Sequence, residues 1–203
     1  SKQYTYKIAE LNGIPIPRTL FPRDAVAVEK YAENSFYPCL IKPFQSHLFY
    51  DYFKVKMFKV FNSRELIQAY EKTRVSRLDV MIQEYIPGDD DKGVNYNSYF
   101  WDNEARVEFT AEKVRLSPPD IGVPCVVKSK DIPEVKESGR KILSALKFYG
   151  YSCTEFKKDE RDGIYKLLEV NGRHNRSGLL AVKCGINFPL IHYNHIANDY
   201  LPE

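Results

Sequence analysis

The sequence predicts an α+β protein with largely antiparallel sheets, because apolar strands alternate with helical segments and several strands are joined by hairpin turns. Two turn signals support the hairpins. Asp102-Asn103 and the Asp/Gly-rich run over 159–163 each separate two stretches of strand-forming residues. The chain has 203 residues, 43% apolar and 28% charged, which is ordinary for a globular protein with one large domain or two small lobes.

The N-terminal part is predicted to alternate helices with short strands. Ser1 caps a first helix that ends at Asn12-Gly13, and the prolines after it keep 14–17 extended. The stretch 44–53 has no clear period. The other predicted elements are a helix over 24–34, a strand over 37–43, a strand near 55–61, a helix over 63–73 and a strand over 80–86.

The C-terminal part is predicted to contain two hairpins separated by a helix. Pro133 is favourable in the first turn of that helix, because a backbone N–H at that position would make no hydrogen bond within the helix. The predicted elements are strands over 94–101 and 105–114, a Pro-rich loop over 117–125, a helix over 133–149, strands over 151–158 and 164–171, and helical segments to the end.

Charge, cysteines and apolar runs argue against several classes of protein. A net charge of +3, with no basic run interleaved with aromatics, gives no reason to expect nucleic acid. Four cysteines without a CxxC pair indicate reduced thiols, so we expect a cytoplasmic protein. No stretch approaches the ~20 apolar residues that span a bilayer, and no signal peptide is visible. The start at Ser1-Lys2, without Met, suggests an excised domain.

A pair of acidic strands is the strongest local feature. If the hairpin centred on Asp162 is symmetric, Glu155 lies opposite Glu169, and alternation places Asn171 on the same face. Facing carboxylates have Cβ atoms about 5 Å apart, and their repulsion needs an offset. Two carboxylates and an amide oxygen are donors that Mg²⁺ prefers, and Arg173 nearby could hold an anion. The alternative is an exposed, charge-rich hairpin.

Lys42 and the strand break after Glu84 are further candidate features. Lys42 ends an apolar run and precedes a proline, so an inward-pointing ammonium group there needs an anionic partner. The strand that stops at Pro87-Gly88 leaves backbone groups that can hydrogen-bond a flat heterocycle, although most such breaks are turns. Because the sequence has no GxGxxG and no P-loop, a nucleotide site here would have to use lysines and such a break.

Taken together, these segments resemble the ATP-grasp superfamily over the length of the chain, and most closely its carbamoyl-phosphate-synthase-like, predicted carboligase subgroup. The resemblance implies two α+β lobes that grip ATP, with largely antiparallel sheets. The segments that carry it, in order, are Lys2 with Gly13-Ile14-Pro15-Ile16-Pro17, Tyr37-Pro38-Cys39-Leu40-Ile41-Lys42-Pro43, Ile82-Gln83-Glu84-Tyr85-Ile86-Pro87-Gly88, Phe109–Arg115 with Pro118-Pro119, Glu155–Asp159 and Leu168–Arg173.

The resemblance implies roles for individual residues and an activity. ATP and Mg²⁺, or Mn²⁺ in its place, are the implied cofactors, and the γ-phosphate passes to a carboxylate to give an acyl phosphate that an amine attacks. The implied roles are Lys2, Lys42 and Lys56 at the phosphates, Glu84, Tyr85 and Ile86 at adenine, Asp91 at ribose, Glu155, Glu169 and Asn171 at the metal, and Arg173, Lys113 and Arg115 at the transferring phosphoryl group.

The resemblance also sets domain boundaries. It implies an N-terminal part over 1–86 that includes a small lobe over about 18–86, and a C-terminal lobe with the metal site over 87–203. Family members usually carry a further α/β domain before the segment that matches Lys2, and superfamily members are often dimers, so both are expected partners.

The sequence departs from the family pattern after the metal ligands. Asn-Gly-Arg-His-Asn-Arg over 171–176 replaces the commoner Asn-Pro-Arg. This makes His174, Asn175 and Arg176 candidates for substrate contacts, with loop hydrogen bonding as the alternative.

Three functions remain open at this point. The first is a carboxylate–amine ligase, and the second is a bicarbonate-activating carboxylase or carbamoyl-phosphate-type domain. The third is a nucleotide-binding module without chemistry. Retention of the full set Glu155, Glu169, Asn171 and Arg173 disfavours the third, because binding alone does not need it.

Overall fold

The structure of the protein is a computed structural model that describes residues 1–201. The helices are α1 (Lys2–Leu11), α2 (Ala25–Glu33), α3 (Ser46–Phe53), α4 (Ser63–Val75), α5 (Pro133–Ala145), α6 (Gly178–Lys183) and α7 (Phe188–Asn198). The strands are β1 (Thr19–Leu20), β2 (Cys39–Pro43), β3 (Phe58–Val60), β4 (Val80–Glu84), β5 (Gly93–Trp101), β6 (Glu104–Ser117), β7 (Val123–Ser129), β8 (Gly150–Lys158) and β9 (Tyr165–Asn171). All described strand pairs are antiparallel, so the predicted α+β class is confirmed.

The described chain divides into two compact units. The smaller unit is Pro17–Ile86, and the larger unit combines Ser1–Ile16 with the described residues from Pro87 onward. The first helix therefore belongs with the larger unit, because Tyr6 donates its hydroxyl to the Leu168 carbonyl at 2.7 Å and Leu167 donates its backbone N–H to Pro15. Residues 202 and 203, which the predicted C-terminal lobe includes, lie outside the described residues.

The smaller unit is built on a sheet with strand order β1-β4-β2-β3. Its core contains buried residues from the strands and from α2, α3 and α4, with Ile41, Phe49 and Leu66 among them. The stretch 44–53, which showed no period, contains α3. Its helical form follows from packing, since Phe49 and Phe53 lie one turn apart and both contact the Phe58 ring, at 5.1 and 4.9 Å between centroids.

The larger unit is built on a sheet with strand order β7-β6-β5-β8-β9. One core contains Tyr96 and Phe156, with residues of α1 and α5. The other contains Tyr99 and Tyr151, with residues of α6 and α7. Alternation along β5 explains the separation, because neighbouring side chains point to opposite faces.

Strand β7 lies in a region where the sequence predicted a loop. The prediction of a loop over 117–125 was wrong at its end, since β7 begins at Val123. Pro124 pairs with Leu116 at the edge of the sheet, and an edge strand tolerates a proline because one side needs no backbone N–H. None of the described helices is long and apolar enough to cross a lipid bilayer.

Candidate active site

Two glutamates face each other on β8 and β9, as the hairpin symmetry predicted. Glu155 pairs with Glu169, and the next pair on the same face is Cys153 with Asn171. The register shifts between Glu155 and Phe156, so the strands stay in the predicted pairing only on the site side of this bulge. The two carboxylates and the amide are thereby brought together.

Two lysines and one amide offset the repulsion between these carboxylates. Lys113 Nζ lies 2.6 Å from Glu155 Oε2, and Lys2 Nζ lies 3.4 Å from Glu169 Oε1. Asn171 Nδ2 lies 3.2 Å from Glu155 Oε1 and 3.4 Å from Glu169 Oε2. The five residues form one cluster, called here the acid–lysine cluster. It gathers five of the predicted site residues from α1, β6, β8 and β9.

Burial makes the Lys113–Glu155 contact the strongest of the cluster. The Lys113 side chain is 8% exposed, whereas those of Lys2 and Glu169 are 27% and 36% exposed. Glu155 is 30% exposed, and a short ion pair with one buried partner is held more tightly than a longer pair whose two partners are both partly exposed. The ion pair between β6 and β8 is therefore held more tightly than the ion pair between the N-terminus of α1 and β9.

The donor set fits a hard divalent cation. Glu155 and Glu169 supply carboxylate oxygens, and a half-turn of the Asn171 amide would replace its nitrogen by its oxygen at the same position. Within residues 1–201 no group of three or more His, Cys, Asp or Glu side chains is arranged to hold a metal. A metal at the acid–lysine cluster would thus rely on two carboxylates and one amide, with its other ligands supplied by water or phosphate.

Arg115 and Arg173 are exposed, and a bulge separates Arg115 from Lys113. The register of β6 with β7 shifts on both sides of Arg115, so the strict alternation that would align it with Lys113 is broken. Arg173 follows β9 and lies near enough to Cys153 for its charge to act on that thiol. Arg173 is thus two residues beyond Asn171, just after the end of β9, and Arg115 is an exposed residue of β6.

The segment after β9 is held by side chains rather than by a strand. The ring of His174 stacks on Tyr151 at 4.1 Å between centroids and 24° between planes. Burial, and then the nearby His192, lower the pKa of His174, so the imidazole is neutral at neutral pH. Asn175 is half-buried and donates to Asn97 Oδ1 at 2.9 Å, while Arg176 is exposed.

Lys42 in the smaller unit finds a neutral partner. Its Nζ lies 2.6 Å from Gln83 Oε1, and Gln83, which is fully buried, donates from Nε2 to Thr19 Oγ1 at 2.9 Å. This contact joins β2 to β4 and fixes the position of the Lys42 ammonium group beside a buried amide. Gln83 was missed as a site residue, although its polar type within an apolar strand was visible in the sequence.

The predicted adenine segment lies at the end of β4. Glu84 Oε2 accepts the backbone N–H of Arg18 at 3.0 Å, and the N–H of Tyr85 is donated to the Pro38 carbonyl. Lys59 Nζ lies 3.7 Å from the centroid of the Tyr85 ring. Ile86 is buried, and Lys56 lies in the half-buried loop before β3.

Asp90 and Asp91 of the acidic loop over 89–91 make different contacts. Asp91 is exposed and contacts Lys92 at 3.3 Å. Asp90 instead accepts the backbone N–H groups of Leu116 and Asp120 at 2.7 and 2.8 Å, which ties the end of β6 to the loop that follows it. Of these two carboxylates, Asp91 is therefore the one left on the surface.

Sequence reasoning missed the polar side chains of β5. Asn95 and Asn97 are 4% and 2% exposed and lie on the same face as Glu155. The sequence pattern that could have identified them is a pair of amides at alternate positions of a predicted strand, because this spacing places both side chains on one face.

Comparisons with known proteins found a curated relative and solved structures that are similar to most of this chain. A curated relative, the D-aspartate ligase of Enterococcus faecium (strain Aus0004), is 27% identical in an alignment of 195 positions that covers 90% of this chain and 46% of the relative. The chain thus spans about half the length of this relative. No protein-family model matches the chain.

Two solved structures show the same fold. The biotin carboxylase of Campylobacter jejuni, in a complex with an ATP compound, matches with a TM-score of 0.74 and 15% identity over 97% of this chain and 46% of that one. The ATP-grasp ligase PsnB, complexed with a precursor peptide and AMPPNP, matches with a TM-score of 0.64 and 21% identity over 93% of this chain and 56% of that one.

Proposed function

We propose that this chain, which has the ATP-grasp fold, is the ATP- and Mg²⁺-dependent part of a ligase that joins a carboxylate to an amine. The observation that carries the proposal is the acid–lysine cluster, in which two facing carboxylates are held together by Lys113, Lys2 and Asn171. The similarity to a D-aspartate ligase supports C–N bond formation and makes amino acids the first substrates to test.

The proposed reaction has two steps. The terminal phosphoryl group of ATP moves to a carboxylate oxygen, which forms an acyl phosphate and releases ADP. An amine then attacks the acyl carbon, forms the C–N bond and releases phosphate and a proton. Both steps redistribute negative charge over phosphate oxygens, so the protein needs fixed cations and hydrogen-bond donors more than a nucleophile.

The acid–lysine cluster can meet this need. Glu155, Glu169 and Asn171 would hold Mg²⁺, which when bound screens the phosphate oxygens from one another. Lys2 and Lys113, now paired with the carboxylates, would then be available to phosphate oxygens. Arg173, Lys113 and Arg115 would stabilise the charge of the transferring phosphoryl group. Cys153 is no candidate nucleophile, because burial, and then Glu155, raise the pKa of its thiol to about 12.

The remaining roles are proposed from the resemblance, and each is assigned within one of the two units. In the smaller unit, Lys42 and Lys56 would contact phosphates, and Glu84, Tyr85 and Ile86 would contact adenine. In the larger unit, Asp91 would contact ribose, and His174, Asn175 and Arg176 would contribute to the substrate site. A cytoplasmic location, a further N-terminal domain and a homodimer belong to the same proposal.

The first experiment is a thermal-shift titration with ATP and Mg²⁺ on the wild type and on Glu169→Gln. A ligand at 100 times its Kd should stabilise the protein by about 2.7 kcal/mol, and the variant should lose the Mg²⁺-dependent part of the shift. Without ligand the variant should differ from the wild type by less than about 1 kcal/mol, because the Lys2–Glu169 pair is partly exposed.

A matched control is Glu10→Gln, which removes an exposed carboxylate from the helix that carries Lys2. This variant should keep the full shift. A shift that does not depend on Mg²⁺ would support a nucleotide-binding module, and no shift with any nucleotide would contradict the proposal.

ADP release then separates the two enzymatic alternatives. The ligase is supported if ADP release requires both a carboxylate and an amine. The carboxylates to test are amino acids, with aspartate first. Release with bicarbonate alone supports the carboxylase alternative. Arg173→Ala should lose most of the release while retaining nucleotide binding, because the guanidinium is proposed to act on the transferring group.

A further inference from the structure

The segment 172–177, between β9 and α6, contains no helix or strand, and it carries Arg173, His174 and Arg176. Within the described chain, three of its side chains attach it to the sheet beneath. His174 stacks on Tyr151, and Ser177 Oγ lies 3.3 Å from Asn95 Nδ2. Between these two attachments lies Asn175.

Asn175 makes the most buried of these attachments. Its Nδ2 lies 2.9 Å from Asn97 Oδ1 and 3.0 Å from Cys153 Sγ. Asn97 is 2% exposed, and its Oδ1 also accepts the hydroxyl of Tyr151 at 2.8 Å. One oxygen thus receives two donors, and this fixes the orientation of both amides, because a flipped Asn175 would place oxygen against oxygen.

This attachment lies one residue pair away from the acid–lysine cluster. Asn97 pairs with Cys153, and Cys153 pairs with Asn171 on the next strand. A displacement of Asn175 would move the backbone of the segment, including Arg173, which lies between Asn171 and Asn175 in the chain.

The two amides that attach the segment do so through their nitrogen atoms. Asn95 Nδ2 donates to Ser177 Oγ, and Asn175 Nδ2 donates to Asn97 Oδ1. Among the described residues, Asn95 Oδ1 and Asn175 Oδ1 are buried and accept no hydrogen bond from the protein. The attachment by Asn175 therefore depends on its donor, and a side chain without that donor would lose the hydrogen bond.

We infer that Asn175 is a positioning residue, which holds the segment 172–177 on β5 and β8 and thereby fixes the backbone that carries Arg173, two residues beyond Asn171. The part of this inference that concerns Arg173 in catalysis rests on the proposed function. The part that concerns the attachment of the segment does not.

Hydrogen exchange tests the attachment in the whole chain. In Asn175→Asp, which keeps the shape but cannot donate to Asn97, and in Asn175→Ala, the amides of 172–177 should exchange about tenfold faster, as the loss of one buried hydrogen bond predicts. Tyr151→Phe keeps the ring under His174 and removes the second donor, so it should have a smaller effect. Asn198→Ala, an exposed asparagine in α7, is the control and should leave the segment unchanged.

A double-mutant cycle on ADP release tests the connection to Arg173. If Asn175 acts through Arg173, Asn175→Ala should lower kcat at least tenfold without changing the KM for ATP, and should have no further effect in an Arg173→Ala background. Additive effects would overturn the catalytic role. Unchanged exchange over 172–177 in both Asn175 variants would overturn the inference as a whole. If the wild type releases no ADP, the proposed function fails, and the exchange result still decides whether Asn175 holds the segment.

Discussion

Asp159 illustrates how a single side chain can hold a turn through charge. Its side chain is fully buried and accepts the backbone N–H and the guanidinium of Arg161, at 3.0 and 2.6 Å, and the ammonium of Lys166 at 2.5 Å. These hydrogen bonds, that of Arg161 first, outweigh burial and hold the pKa of Asp159 well below its ordinary value of 3.8. The residue ends β8 and fixes the hairpin that brings Glu155 opposite Glu169.

We predict that Asp159→Asn destabilises the protein by about 2 kcal/mol at neutral pH, because the amide cannot replace a charged acceptor for two cationic partners. The folded-state pKa is depressed, so the carboxylate stabilises the fold above pH 3.8, and this contribution is lost as the pH falls through the depressed value. The difference between wild type and variant should therefore shrink as the pH falls below 3.8.

Urea unfolding at several pH values measures this difference, with Asp51→Asn as an exposed control that should change little. A difference that stays constant down to the lowest pH would show that the charge of Asp159 is not the cause.

Helix α5 shows what close packing requires of one element. Gly139 lies in its middle and faces Tyr96 on β5, and a Cβ built at Gly139 would lie 2.4 Å from two carbons of the Tyr96 ring. The ring cannot yield easily, because it is fully buried and its hydroxyl is donated to Glu108 at 2.6 Å. The helix therefore approaches the sheet more closely than any residue with a side chain would allow.

We predict that Gly139→Ala destabilises the protein by about 2 kcal/mol, because overpacking outweighs the gain in helix propensity. That gain is about 1 kcal/mol for Gly to Ala in a helix interior. Thermal and urea unfolding measure the net effect. Glu137→Ala, on the exposed face of the same helix, should be nearly neutral. A stabilised Gly139→Ala would mean that α5 can move away from Tyr96.

At the scale of the whole molecule, the two units have separate cores. Buried residues of the smaller unit pack among themselves, and those of the larger unit form two clusters on the two faces of its sheet. A defect in one core should therefore be felt mainly within its own unit.

We predict that Leu66→Ala, in the core of the smaller unit, costs about 2–5 kcal/mol within that unit through loss of buried area and formation of a cavity. Leu66 is fully buried. Hydrogen exchange measured by mass spectrometry should show faster exchange over Pro17–Ile86 and little change in β5, β6 and β8. Equal acceleration in both units would show that they unfold together. Ile67→Ala, its more exposed neighbour in α4, is the control.

Much of the fold and part of the candidate site were predictable from local patterns. The pairing of Glu155 with Glu169 followed from a turn signal and the two-residue period of a strand, which are local properties. The helical form of 46–53 and the start of β7 at Val123 were not predictable in this way. Packing of Phe49 on Phe58 decides the first, and pairing at a sheet edge decides the second.

Local sequence patterns were sufficient for the α+β class, the acidic hairpin and the order of the segments that resemble ATP-grasp proteins. They did not determine which lysines offset the paired carboxylates. Lys113 contacts Glu155 across 42 positions of the chain, and Asn175 contacts Asn97 across 78. Such contacts depend on the order and register of five strands, and these are set by the burial of whole faces of the sheet rather than by the preferences of any one segment.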